Sequence, residues 1–91
     1  MASDARDING RVAIVTGGGR GVGAATSALL AARGARVVVL DISGEAANET
    51  AVAIRAAGGE AIAVVTDISS EQQVADAYRA TVEAFGGIGI N

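Results

Sequence analysis

The residues whose types and spacing could do chemistry begin with Thr16–Gly23, TGGGRGVG, in which Gly17, Gly18, Gly19, Gly21 and Gly23 crowd one short loop. Glycine reaches positive φ and has no Cβ, so such a loop lets the backbone come close to a ligand. If a helix begins at its far end, unpaired N–H groups and the positive end of the helix dipole suit a pyrophosphate. A dinucleotide site then calls for an acid roughly 20 residues further on, at the end of the next strand, to accept the hydroxyls of the adenosine ribose. Asp41 stands there, directly after VVVL. A flexible turn and a polar strand end would explain each feature singly. The register of loop, strand, helix and acid favours a nucleotide. A Walker-type loop is excluded, because it requires Gly-Lys and the chain has no Lys.

These residues need elements to hold them. Residues 11–16 (RVAIVT), 35–41 (ARVVVLD) and 60–68 (EAIAVVTDI) are apolar runs rich in β-branched residues, the pattern of strands buried on both faces. Residues 22–34 form an Ala- and Leu-rich helix ended by Gly34. Residues 43–59 form a second, with Ser43 as N-cap, an apolar stripe at Ala47, Ala51, Ile54 and Ala57, and Gly58-Gly59 as the stop. Residues 69–87 form a third, capped by Ser69 or Ser70, with Val74, Tyr78, Val82 and Phe85 on one face. Tyr78 is therefore expected to pack. Strand–helix three times over predicts an α/β fold with a parallel sheet, right-handed crossovers and helices on both faces. Residues 1–10 read as a flexible leader and 11–91 as a partial Rossmann dinucleotide-binding domain.

Composition narrows the function classes. The chain has 91 residues, 51 % hydrophobic and 19 % charged, with a net charge of −3. All its basic residues are Arg, and they are scattered, so no nucleic-acid face is expected. There is no Cys and no His, hence no thiolate nucleophile and no imidazole ligand, and no metal site is expected. No apolar run approaches the ~18 residues of a membrane span. The polar start MASDARDING lacks a signal core, so the expected place is the cytoplasm.

TGGGRGVG resembles the TGxxxGxG loop of the short-chain dehydrogenases/reductases, with Thr16 opening it and Gly17, Gly21 and Gly23 as its glycines. VVVLDIS is similar to that family's second strand with its ribose-binding Asp. VVTDISSEQQV resembles its third strand, where an Asp, here Asp67, contacts the adenine amino group and the next residue, Ile68, lines the adenine pocket. FGGIGIN resembles the approach to its fourth strand, with Gly89 where the family usually has Asp. The resemblance implies the strand order 3-2-1, truncated at the start of strand four, and a cofactor set of Thr16, Gly17, Gly19, Arg20, Gly21, Val22, Gly23, Asp41, Ile42, Asp67 and Ile68. It implies NAD as cofactor, because the Asp41 carboxylate would repel a 2′-phosphate. Arg20 pulls toward NADP, since a basic residue before the second motif glycine often accompanies it in the family.

The resemblance also implies an oxidoreductase that moves hydride between the nicotinamide and an alcohol or carbonyl, using a Ser, a Tyr and a Lys four residues after the Tyr. None of that triad is expected here. The single tyrosine, Tyr78, is followed four residues later by Val82, and Lys is absent. The chain is thus expected to be the amino-terminal NAD-binding part, inactive alone. A strand one lacking its strand-four neighbour would leave an open edge through which the chain could self-associate. A non-catalytic nucleotide-binding or interaction module is the alternative. An S-adenosylmethionine-binding, methyltransferase-like fold is a further one, since Gly17, Gly19 and Gly21 spell GxGxG, although Thr16 stands where an acid usually opens that loop.

Overall fold

The computed structural model describes residues 9–86, so residues 1–8 of the expected leader at 1–10 and the stretch from Gly87 to Asn91, with Gly89, lie outside the described residues, while Asn9 and Gly10 form a turn tied to Gly34 by the Gly10 N–H. The elements run β1 (Val12–Thr16), α1 (Gly21–Ala32), β2 (Arg36–Asp41), α2 (Gly44–Ala56), β3 (Glu60–Val65) and α3 (Glu71–Phe85). Each strand ends a few residues earlier or begins a residue later than its apolar run, because the flanking residues are taken up in turns and caps.

β2 is the central strand. It pairs in parallel with β1, Val12 beside Arg36 through Thr16 beside Leu40, and with β3, Arg36 beside Glu60 through Asp41 beside Val65. The order is therefore the 3-2-1 of the sequence reading. Alternate side chains of β2 serve the two faces. Val37 and Val39 join Ala13, Ala61, Ala47, Ala51 and Ile54 in a core that also takes Leu30 and Ala31 of α1. Val38 and Leu40 join Val12 and Ala77, flanked by Ile14, Ile62, Val64 and Phe85. α1 and α2 thus cover one face and α3 the other. The first core is built largely of alanines, which lets two helices lie close to three strands.

The helix ends follow local chemistry. Ser43 Oγ caps α2 by accepting from the Ala46 N–H at 3.2 Å, and Ser70, rather than Ser69, caps α3 by accepting from the Gln73 N–H at 3.3 Å. Gly34 and Gly58 follow the last turns of α1 and α2, both with positive φ.

Two side-chain expectations fail. Tyr78 does not pack: it is 57 % exposed, with Val74 and Val82 exposed beside it. Of the expected face only Phe85 meets the sheet, and α3 otherwise lies on it along Ala77 and Thr81, where the small Ala77 and the self-satisfied Thr81 hydroxyl, donating to the Ala77 carbonyl at 2.9 Å, permit close approach. Ala57 is exposed as well, because α2 ends one residue before it.

Candidate functional site

The site forms where parallel strands deliver their carboxyl ends. The Gly18 N–H donates to the Leu40 carbonyl at 2.9 Å, tying the glycine loop to the end of β2, and the Thr66 N–H donates to the Asp41 carbonyl at 2.9 Å, tying β2 to the residue after β3. The loop, Asp41 and the Thr66–Ile68 segment are thereby held at one end of the sheet.

Within the loop, Gly17 and Gly21 have φ of +65° and +53°, a left-handed conformation that costs a residue with a Cβ about 1–2 kcal/mol. Gly23 is required by contact rather than by torsion. A Cβ there would lie 2.1 Å from the Gly17 carbonyl oxygen and 3.0 Å from the Gly18 Cα. The first turn of α1 is therefore folded against its own loop. No side chain caps α1, whose N-cap is the extended Arg20, and there is no acid in its first turn. Val22 is 84 % exposed at that uncapped start. The first-turn N–H groups have no helical acceptor by geometry.

Asp41 closes the site. Oδ2 accepts from the Gly19 N–H and Oδ1 from the Ser43 N–H, each at 3.0 Å. The Ser43 N–H does most to hold this carboxyl below its ordinary 3.8. Partial burial opposes it, and the Gly19 N–H, the Arg20 charge and the Ile42 N–H add to the lowering. Asp41 is ionised near neutral pH, and each oxygen keeps a further lone pair for a hydroxyl donor. Ile42, next to it, is exposed.

Asp67 has a different environment. Its Oδ1 accepts from the Ser69 hydroxyl at 2.6 Å and the Ser69 N–H at 2.9 Å, and these two bonds, the hydroxyl first, lower its pKa. Its backbone N–H donates to Gln73 Oε1 at 2.8 Å. Ile68 beside it is exposed. The structure thus ties Gly18 and Gly19 of the loop to Leu40 and Asp41 by hydrogen bonds, with the rest of Thr16–Gly23 and Ile42 adjoining them along the chain, and sets Asp67 and Ile68 at the neighbouring strand end.

Three residues that hold this site stand outside the expected cofactor set: Gly18, counted in the loop without a role, Ser27 and Thr50. Gly18 is buried, and a Cβ on it would meet the Val15 carbonyl at 2.9 Å. Ser27, fully buried, donates from Oγ to the Gly23 carbonyl at 2.9 Å. Thr50 Oγ1 donates to the Gly19 carbonyl at 3.1 Å across 31 residues. For Ser27 and Thr50 the available signal was a hydroxyl set within an apolar stripe, Ala24, Leu30 and Ala31 on α1 and Ala47, Ala51 and Ile54 on α2.

Among the described residues no cluster of acids could hold a metal ion, and no helix is long and apolar enough to cross a membrane.

A family model described as short chain dehydrogenase matches residues 11–90. An uncharacterized oxidoreductase of Thermotoga maritima is 41 % identical over 83 residues, covering 91 % of this chain and 32 % of that protein. A short chain dehydrogenase/reductase from Burkholderia phymatum, solved in complex with NAD, superposes with a TM-score of 0.86 at 40 % identity, over 89 % of this chain and 29 % of that one. A metagenomic short-chain oxidoreductase, solved in complex with NADP, gives 0.84 at 36 % identity, over 91 % and 38 %. The chain spans about a third of the length of the curated relatives it matches.

Proposed function

Because this chain belongs to the short-chain dehydrogenase family, we propose that its glycine loop and strand ends bind the adenosine diphosphate half of NAD, within an NAD(P)-dependent oxidoreductase that interconverts an alcohol and a carbonyl. The observation that carries this is the Asp41 carboxylate bonded to the Gly19 N–H beside an uncapped α1. Such a site holds one ionised acid and several free amide donors, the complement of a ribose diol next to a pyrophosphate.

The residues present fit that group. A Cβ at Gly23 or Gly18 would fill the space where backbone segments meet, so the loop keeps its donors close packed. In this reading Thr16, Gly17, Gly19, Arg20, Gly21, Val22 and Gly23 hold the pyrophosphate, Asp41 and Ile42 the ribose, and Asp67 and Ile68 the adenine. When bound, the nicotinamide supplies the hydride donor or acceptor. None of the 91 residues takes a catalytic role: Tyr78 has Val82 four residues on, and the sequence holds no Lys.

One neighbour was solved with NAD and another with NADP, so the local charges must decide. Asp41 is the acid bonded to the loop, and Arg20 acts on it from a distance that lowers its pKa. The carboxylate bonded to the loop would repel a 2′-phosphate, which favours NAD. Titration calorimetry on the full chain with NAD, NADP and S-adenosylmethionine tests this: NAD should bind most tightly and S-adenosylmethionine not at all. Tighter binding of NADP would overturn the cofactor assignment, and binding of S-adenosylmethionine alone the function. Turnover of an alcohol by the 91-residue chain would contradict the absence of catalytic residues.

Among the described residues β1 bonds only to β2. The proposal includes self-association through the other side of Val12–Thr16, expected as a mass that rises with concentration in light scattering. A monodisperse monomer would remove it.

A further inference from the structure

Gly19 is held through both of its peptide units and at its Cα. Its N–H donates to Asp41 Oδ2 at 3.0 Å, and its carbonyl accepts from Thr50 Oγ1 at 3.1 Å. Its Cα rests on the first turn of α2, where an added Cβ would lie 2.6 Å from the Ala46 carbonyl carbon and 2.7 Å from the Ala47 nitrogen. That turn is itself fixed, since Ser43 Oγ accepts from the Ala46 N–H while the Ser43 N–H donates to Asp41 Oδ1. A closed circuit results, running from Gly19 to Asp41, Ser43, the start of α2, Thr50 and back to Gly19. Thr50 is buried, at 9 % exposure, on the same helix face as Ala47 and Ala51. A threonine in that packed stripe gains nothing over valine except its hydroxyl.

We propose that Thr50 is a positioning residue of this site: its hydroxyl fixes the peptide plane between Gly19 and Arg20. In a trans peptide the C=O and the next N–H point in opposite directions. Drawing the Gly19 carbonyl toward α2 therefore aims the Arg20 N–H away from α2, at the uncapped start of α1. The Gly19 N–H belongs to the preceding peptide unit and is held by Asp41, so the two bonds grip Gly19 from both sides and loss of one loosens the residue that makes the other. α2, which contributes no residue to the glycine motif, thus sets the direction of the Arg20 amide and steadies Gly19 beside it. Without the hydroxyl the plane is free to turn, and a ligand must reorder the loop as it binds. What the loop holds rests on the function proposed above; the latch itself does not.

The test uses the full chain and three variants. Thr50→Val keeps the shape and removes the hydroxyl, Thr50→Ser keeps the hydroxyl, and Ile54→Val loosens the same helix away from the loop. Titration with NAD should show about fivefold weaker binding for Thr50→Val, the size of one lost hydrogen bond. Thr50→Ser should recover to within about twofold, and Ile54→Val should bind as wild type. Amide hydrogen exchange without ligand should speed up at Gly19 in Thr50→Val alone. Wild-type NAD affinity in Thr50→Val, or an equal loss in Ile54→Val, would overturn the proposal. If the wild-type chain does not bind NAD, the proposed function fails, and Gly19 exchange alone then decides for or against the latch. Should Thr50→Val not fold, Thr50→Ala set against Thr50→Ser makes the same comparison.

Discussion

Helices α1 and α3 both begin just after a strand at the carboxyl end of the same sheet, yet their first turns are built differently. α3 starts from Ser70, whose hydroxyl caps the Gln73 N–H, with Glu71 in the first turn and Gln73 reaching back to the Asp67 N–H. The Asp67 carboxylate and N–H, the Ser69 hydroxyl, the Ser70 hydroxyl and the Gln73 amide are bonded within the same short segment, and the charge sign agrees with the helix dipole. α1 starts from Arg20, with no side-chain cap and no acid in its first turn, and the charge at its positive end has the unfavourable sign. Its partners are distant in sequence: Asp41, Leu40 and Thr50 bond to the loop from β2 and α2. Local rules are followed where the helix serves only the fold. They are broken where free donors and a positive charge suit an anion that the chain itself does not supply.

The largest break in this comparison is Gly23→Ala. Its Cβ would meet backbone, not a flexible side chain, at 2.1 Å from the Gly17 oxygen. The loop or α1 must move. The expected outcome is a loss of about 3 kcal/mol of stability in urea denaturation, in the range of overpacked cores, with no measurable NAD binding. Full stability with intact binding would mean that the tight junction is not needed. Next is Asp41→Ala, which removes the acceptor for Gly19 and Ser43 and the proposed ribose contact. NAD affinity should fall about 10- to 100-fold by calorimetry, as charge-assisted hydrogen bonds are lost. An unchanged affinity would take Asp41 out of the site.

Much of this architecture is legible in the sequence, because it rests on short-range signals. The run VVVL between a helix stop and Asp41 can only be a strand covered on both faces, and Val37 to Leu40 are indeed buried throughout. Ser43 and Gly58 mark the bounds of α2 by their own chemistry. The face of α3 is different. Of its periodic apolar stripe, Val74, Tyr78, Val82 and Phe85, only Phe85 packs, partly buried, while the buried positions are the neighbouring Ala77 and Thr81. Hydrophobicity favoured the larger side chains, whereas the close-packed sheet favours the smaller ones, and a pattern of residue types does not rank the two. In the site, Asp41 is legible because its position follows from the length of one strand–helix–strand unit. Thr50 is not, because its bond to Gly19 depends on the lateral placement of α2, a tertiary quantity.

A smaller effect comes from giving α1 what α3 already has. Arg20→Ser places a capping hydroxyl on an extended N-cap residue, at φ −143° and ψ 157°, and removes the misplaced charge. Thermal melts should show a chain about 1 kcal/mol more stable, with NAD binding several-fold weaker because a donor is now used internally and a cation is gone. A chain that gains stability without losing affinity would show that the free start of α1 is not used by the ligand.

The smallest effect separates the two acids. Both have folded-state pKa values below 3.8, so the stability each contributes is full above that value and is lost as pH falls through the lowered folded pKa. Their causes differ in reach. Asp67 is held down first by the Ser69 hydroxyl, Asp41 first by the Ser43 N–H with help from Gly19 and Arg20. Carboxyl-carbon NMR titration of Ser69→Ala should therefore move the Asp67 midpoint back up and leave Asp41 in place. Addition of NAD to the wild type should do the reverse, perturbing Asp41 more than Asp67, because only Asp41 bonds both to the loop and, as proposed, to the ribose. If NAD moves Asp67 and leaves Asp41 where it was, the contrast between a self-satisfied strand end and one that waits for a ligand is wrong at its centre.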